Sequence, residues 1–221
     1  MTGLVDPDDL STWPTDVIAL VSENAQLIRN YESHQARIGG LSTSAYLAAG
    51  QPTNPFRAER DRIVAKIDEV LSKVWLAGYH ATRLTPSEAS RLDRGLLEVL
   101  SMDLVQRRID QACADGLLSH THADELAKSS LVRSPEQLHG RRLGMVWMVF
   151  FKIVLNDDGL YRLFRYWGGE AIYGPHEQTE IGEALKRIGR PTLLKCEVPV
   201  SDLHPSYPIA GRFTAAFMEK Q

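Results

Sequence analysis

Two short blocks hold the side chains in this chain that could do chemistry: Tyr79-His80-Ala81-Thr82-Arg83 and Arg165-Tyr166-Trp167-Gly168-Gly169-Glu170. In an extended segment alternate side chains share a face, so His80 and Thr82 point one way while Tyr79, Ala81 and Arg83 point the other. An imidazole and a hydroxyl on one strand face can grip the edge of a ligand by hydrogen bonds. Arg83, close to the end of that strand, is expected to turn its planar fork towards an anionic group such as a pyrophosphate. The second block joins one arginine, two aromatic rings and a carboxylate across a pair of glycines, with Arg162 three residues before it. Paired glycines permit close backbone approach or positive φ, and the rings beside them offer stacking surfaces. Glu170, held next to aromatics and arginines, can stabilise a developing cation or accept a proton. A buried, satisfied histidine and a glycine-capped helix end are the bland explanations of the same residues.

The elements that must position these blocks follow from periodicity. Thr15 is expected to cap a long helix whose stripe is Val17, Val21, Asn24, Ile28 and Tyr31, ended by Gly39-Gly40. Asn54 and Pro55 open a second helix, with Phe56, Ile63, Ile67, Val70 and Val74 as its apolar face. Residues 1–75 therefore read as a helical hairpin, and 76–221 as an α/β (α+β) domain with inserted helices. Residues 78–84 are expected as a strand, followed by the capping box Thr85-Pro86-Ser87-Glu88. Ser101 and Ser119 cap two further helices, the first closed by Gly116. Residues 145–155, apolar apart from Lys152, are expected as a central covered strand. A helix carrying Leu160, Leu163, Phe164 and Trp167 ends at Gly168-Gly169. Another runs over 180–188, before a last strand over 192–200.

The order of these blocks resembles the ADP-ribosyltransferase superfamily, specifically its histidine–tyrosine–glutamate branch. His80 and Thr82 match the strand that holds the nicotinamide ribose and carboxamide of NAD in that branch. Glu170, in Glu-Ala-Ile-Tyr, matches the carboxylate that orients the ribose and stabilises an oxocarbenium-like transition state. Tyr166 takes the place of the aromatic that stacks on nicotinamide, with Trp147 and Tyr173 as rivals. Glu197 on the last strand is the competing carboxylate. The resemblance implies an ADP-ribosyltransferase-like mixed sheet over roughly 78–200, with NAD bound as a substrate. It implies His80 and Glu170 as catalytic residues, and His80, Thr82, Arg83, Tyr166, Trp167 and Gly168 as NAD-binding ones. The Tyr-His-x-Thr-Arg and Tyr-Trp-Gly-Gly-Glu blocks also resemble those of an uncharacterised bacterial family, a likeness that names no function; a toxin, a defence effector and a housekeeping enzyme are all left open. The acceptor of the transferred group is left open.

Bulk properties narrow the rivals. A formal charge of −3 over 221 residues gives no global basic field, so non-specific nucleic-acid binding is not the expected mode. Arg107, Arg108, Arg133, Arg141 and Arg142 nevertheless concentrate in the middle of the chain, and residues 101–130 could form a helix–turn–helix in a non-enzymatic binding module. Its second helix carries Asp124 and Glu125, which suit phosphates poorly. His120-Thr121-His122, with His80, His139, His176 or Asp157, could hold a metal in a hydrolase, but no Cys-x-x-Cys or H-E-x-x-H accompanies them, and no metal is expected. The two cysteines, Cys113 and Cys196, read as core thiols in a reducing compartment. An acidic start without a signal-peptide pattern, and no apolar run long enough for a membrane span, lead to the expectation of a cytoplasmic protein. The oligomeric state is left open.

Overall fold

The computed structural model describes residues 3–92, 95, 97–133, 143–152, 157–205 and 207–220. The protein is 58% helical and only 12% strand. The sheet is thus a minority element, and the class is α+β rather than a doubly wound parallel fold. Its three strands, β1 (Leu4–Val5), β2 (Trp75–Leu84) and β3 (Arg190–Pro199), lie in the order β1-β2-β3. β1 runs parallel to β2, with Leu4 opposite Trp75 and Val5 opposite Leu76. No helix among the described residues is long and apolar enough to cross a membrane.

The chain forms two compact units, one of residues 1–77 with 197–221 and the other of residues 78–196. In the first, α1 (Thr15–Glu23) and α2 (Ala25–Gly39) both pack on α4 (Arg57–Leu71), as a helical hairpin should. The single long helix expected from Thr15 is two. Asn24, placed by periodicity in the apolar stripe, is the junction, and its side-chain amide donates to the Leu20 carbonyl at 2.8 Å. An amide satisfied by the backbone in this way competes with the helical ladder. Nor is Thr15 the cap; Pro14 precedes the helix and its carbonyl accepts from Val17 and Ile18. A short helix, α3 (Thr43–Ala48), occupies the connector, capped by Ser42. α4 begins two residues later than Pro55 implies, after a turn in which the Asn54 side chain accepts from the Phe56 amide at 3.1 Å.

The larger difference is at the other end of the chain. Residues 197–221, expected with the second domain, belong with the first unit. The cause is α11 (Ile209–Glu219), whose face of Ile209, Ala210, Phe213 and Phe217 is buried and packs on α4. Phe213 meets Trp13 with ring centroids 4.4 Å apart, and the Lys220 ammonium donates to the Asp8 carbonyl at 2.6 Å.

In the second unit the capping signals hold. α5 (Pro86–Leu92) carries the full reciprocal box: Thr85 N–H donates to Glu88 Oε2 at 2.8 Å, and Glu88 N–H to Thr85 Oγ1 at 3.2 Å. Ser101 caps α6 (Met102–Ala114) and Ser119 caps α7 (His120–Ser129). α8 (Asp158–Arg165), α9 (Glu170–Tyr173) and α10 (Glu180–Leu185) follow. Ile109, Leu126, Trp167, Ile172 and Leu185 are completely buried at the centre of their shared core. The strand expected over 145–155 does not form over its described part. Residues 145–152 meet β2 through one antiparallel bridge, Tyr79 with Val149, and 153–156 lie outside the described residues. Gly78 explains the closeness of that crossing, since a β-carbon there would sit 2.9 Å from the Phe150 ring.

The α11 contact can be tested by truncating Phe213, which is 0% exposed. Phe213→Ala is expected to cost about 3–5 kcal/mol of unfolding free energy. Urea denaturation monitored at Trp13 measures it, and a loss below about 1 kcal/mol would mean α11 docks only loosely.

Candidate functional site

β2 is covered on both faces over most of its length. His80 Nδ1 lies 2.8 Å from the Trp147 carbonyl oxygen. A carbonyl can only accept, so Nδ1 carries the proton and Nε2 presents a lone pair, with no partner among the described residues. Burial pulls the His80 pKa below the usual histidine range; the Trp147 bond opposes this and the nearby Arg108 charge adds to it. The imidazole is therefore neutral at pH 7. Thr82 shares its strand face but is only 7% exposed, and its hydroxyl makes one long local contact, 3.4 Å to the Arg83 carbonyl.

Arg83 does not reach for a phosphate. Its Nε donates to the Ile188 carbonyl at 2.8 Å, Nη1 to Phe164 at 2.9 Å and Nη2 to Gly189 at 2.8 Å. The physical reason is an accounting one: the last carbonyls of a helix lack intrahelical donors, and Phe164 lies in the final turn of α8. The same fork holds the turn at Gly189, whose φ of +65° and 2.7 Å approach to the Leu84 carbonyl would exclude any side chain.

The aromatic block is also internal. Trp167 is 0% exposed and Tyr166 4%, so neither offers a ring face to a ligand in this conformation. Tyr166 stacks on Tyr173 at 5.0 Å, and its hydroxyl donates to the Glu177 carbonyl at 3.2 Å. Trp167 Nε1 donates to Glu88 Oε2 at 3.0 Å, while Arg108 Nε donates to Glu88 Oε1 at 2.6 Å. The Arg108 guanidinium also lies over the Trp167 ring at 5.0 Å. Burial alone would push the Glu88 carboxyl upwards. The Arg108 charge, with the Thr85 and Trp167 hydrogen bonds, more than reverses this, and the net shift is down. Arg108 Nη2 is buried without a hydrogen-bond partner among the described residues. Of the expected stacking rings, the rival Trp147 is the accessible one, at 59% exposure, and its own carbonyl fixes His80.

Gly168 serves packing rather than ligand approach. At φ +96° a β-carbon there would lie 2.7 Å from the Ile172 side chain. Gly169, at φ +72°, then starts α9, and Glu170 stands half-buried at its first position, beside Gly174. Glu197 is exposed on β3 and belongs to the unit of residues 1–77 and 197–221.

The partners missed from the sequence are Glu88 and Arg108. The capping box announces one oxygen of Glu88, but nothing local announces that the other meets a residue twenty positions on. Of the histidine pair, His120 Nδ1 lies 3.3 Å from Cys113 Sγ, and among the described residues no group of three or more metal-ligating side chains occurs. His139, Arg141 and Arg142 lie outside those residues. His176, 6% exposed, bonds Ser129 Oγ through Nε2 at 2.6 Å. A cavity of about 420 Å³ lies between one face of α7 and the start of α10, lined by His122, Asp124, Glu125, Lys128 and Glu180 among others. None of the site residues expected from the sequence lines it.

Two outcomes follow. Arg83→Lys preserves charge but cannot span three carbonyls, so it should cost about 2–4 kcal/mol of stability; an unchanged melting temperature would overturn the clamp. His80 and His176 both have pKa values lowered chiefly by burial. The unfolded chain therefore binds more protons below about pH 6.5, and unfolding free energy should fall as pH drops from 7 towards 5. Replacing both with Gln should flatten that slope in denaturant titrations.

Compared with protein-family models, with curated proteins and with solved structures, the chain finds no match in any of the three.

Proposed function

We propose that the 78–196 unit is an ADP-ribosyltransferase-like NAD site centred on His80, transferring ADP-ribose to an acceptor. The observation that carries this reading is the histidine itself. Its tautomer is locked by the Trp147 carbonyl, its pKa is held low by burial, and Nε2 remains as an acceptor for a ribose hydroxyl. Trp147, exposed and joined to His80 through its carbonyl, replaces Tyr166 as the ring that stacks on nicotinamide. Glu170 keeps the role of the carboxylate that faces the positive charge developing at the ribose carbon as nicotinamide leaves with the bonding pair. Arg83, Trp167 and Gly168 support the fold around the ligand, and Thr82 backs the strand without a direct contact.

The test separates binding from turnover. NAD at 100-fold over its dissociation constant should stabilise the protein by about 2.7 kcal/mol. His80→Ala should abolish that shift, and Trp147→Ala should weaken it. Glu170→Gln should leave NAD binding nearly unchanged while reducing release of nicotinamide at least about 100-fold. No thermal shift at millimolar NAD in the unmodified protein would sink the reading.

A further inference from the structure

Two helices of the second unit end at the same place and bring their cations with them. α8 has its acid, Asp158, in the first turn and Arg162 and Arg165 in the last. α10 has Glu180 and Glu183 first, with Lys186 and Arg187 just beyond its end. The ends are tied together by the Trp167 N–H, which donates to the Leu185 carbonyl at 3.2 Å. Their charges gather round the Tyr166–Tyr173 stack. Arg165 and Lys186 both lie over Tyr166, at 5.5 and 5.4 Å, and Arg162 lies over Tyr173 at 5.7 Å.

The compensation is incomplete. Arg162 pairs with Glu177 and Lys186 with Glu183. Arg165 and Arg187 make no ion pair among the described residues, and both are exposed. The Lys186 hydrogen bond draws the Glu183 carboxyl below the usual range, and the Arg165 and Arg187 charges add to it. Four cations thus face two carboxylates on a chain whose formal net charge is −3. Like charges held this close repel, and an arriving anion would relieve them.

Tyr161 supplies the second half of the argument. It is 65% exposed, among the most accessible large side chains of the described residues. On α8 it stands four residues before Arg165 and next to Arg162, so ring and guanidinium are neighbours on one helix face. An exposed ring beside unpaired arginines matches the pairing of base stacking with phosphate contact used on single-stranded nucleic acids. A lipid surface would instead require exposed aliphatic side chains, but Leu160 is buried and Leu163 half-buried.

From this we infer that the α8–α10 end, with Tyr161, Arg162, Arg165 and Arg187, is a docking face for single-stranded nucleic acid. One base stacks on Tyr161, and its flanking phosphates meet Arg165 and Arg187. The face is independent of NAD binding at His80.

The test uses the full chain and a fluorescein-labelled 12-nucleotide oligo-dT, read by anisotropy in about 50 mM salt. Binding should weaken with added salt, with a log–log slope of about −1.4 for two phosphates. Arg165→Gln and Arg187→Glu should each weaken it several-fold, and together about tenfold or more. Tyr161→Ala should weaken it between about 5- and 100-fold, as loss of one stacked base requires. Lys128→Glu, on α7, should have no effect. Melting temperatures of the exposed-site variants verify that they are folded, and Arg187→Glu alone suffices if the Arg165 variant is not. Overturning results are absence of oligo-dT binding by the unmodified chain, equal binding by all variants, binding only to anionic vesicles, or equal affinity for a duplex with no effect of Tyr161→Ala.

Discussion

The carboxylate of Glu88 is the interaction on which the second unit hangs. One side chain accepts from the backbone where β2 ends, from the indole that follows α8 and from a guanidinium on α6. Each donor comes from a different element, and each is lost if the carboxylate moves. Removing one member of such a buried pair leaves the other charge uncompensated, a cost of about 3–5 kcal/mol. The arrangement also dictates rotamers. Trp167 cannot swing outwards without abandoning its acceptor, and Arg108 cannot leave without stranding an anion. The position of the Tyr166–Glu170 block is therefore set from within the core.

Arg83 does for backbone what Glu88 does for side chains. The end of α8 and the left-handed turn at Ile188-Gly189 present carbonyls to one small region. A planar cation with diverging donors is well suited to satisfy them together. The two hubs lie five residues apart, on either side of Thr85-Pro86. His80 gains its definition from this rigidity: its strand cannot shift, and the Trp147 carbonyl needs only to meet a fixed imidazole. Under the proposed NAD reading, a nitrogen held this way would lose little freedom on binding, which favours affinity by preorganisation.

What the sequence disclosed divides along the range of the interactions. Caps were legible because they are satisfied within four residues: Thr85 with Glu88, Ser101 with Leu104, Ser119 with His122. The helical stripes of α4 and α6 were legible for a similar reason, since one buried face repeats at fixed spacing. Asn24 was misplaced because periodicity alone cannot separate an apolar-face position from a helix junction. Residues 145–155 were read as a strand because an apolar run says that a segment is covered, not that it has a ladder partner. At the site, the residue types of both blocks were visible, but the partners that decide their roles were not. Arg83 looked like a phosphate ligand because the carbonyls it clamps are 81 to 106 residues away. The aromatic block advertised stacking surfaces that the fold uses as core, while Trp147, set in an apolar run, proved the accessible ring.

The first unit is interrupted: its chain leaves at residue 77 and returns at 197. During synthesis, which proceeds at about 5–20 residues per second, this means several seconds between the two halves. Until α11 emerges, the part of α4 that α11 covers and the ring of Trp13 lack that partner, although α1 and α2 can already pack on α4. The inserted unit has all its own parts by residue 196, before α11 (Ile209–Glu219) emerges. The order of completion is thus the reverse of the order of initiation: the element begun first is finished last. A chaperone that holds α4 during that interval would act on a solvent-facing stripe that no longer exists in the finished protein.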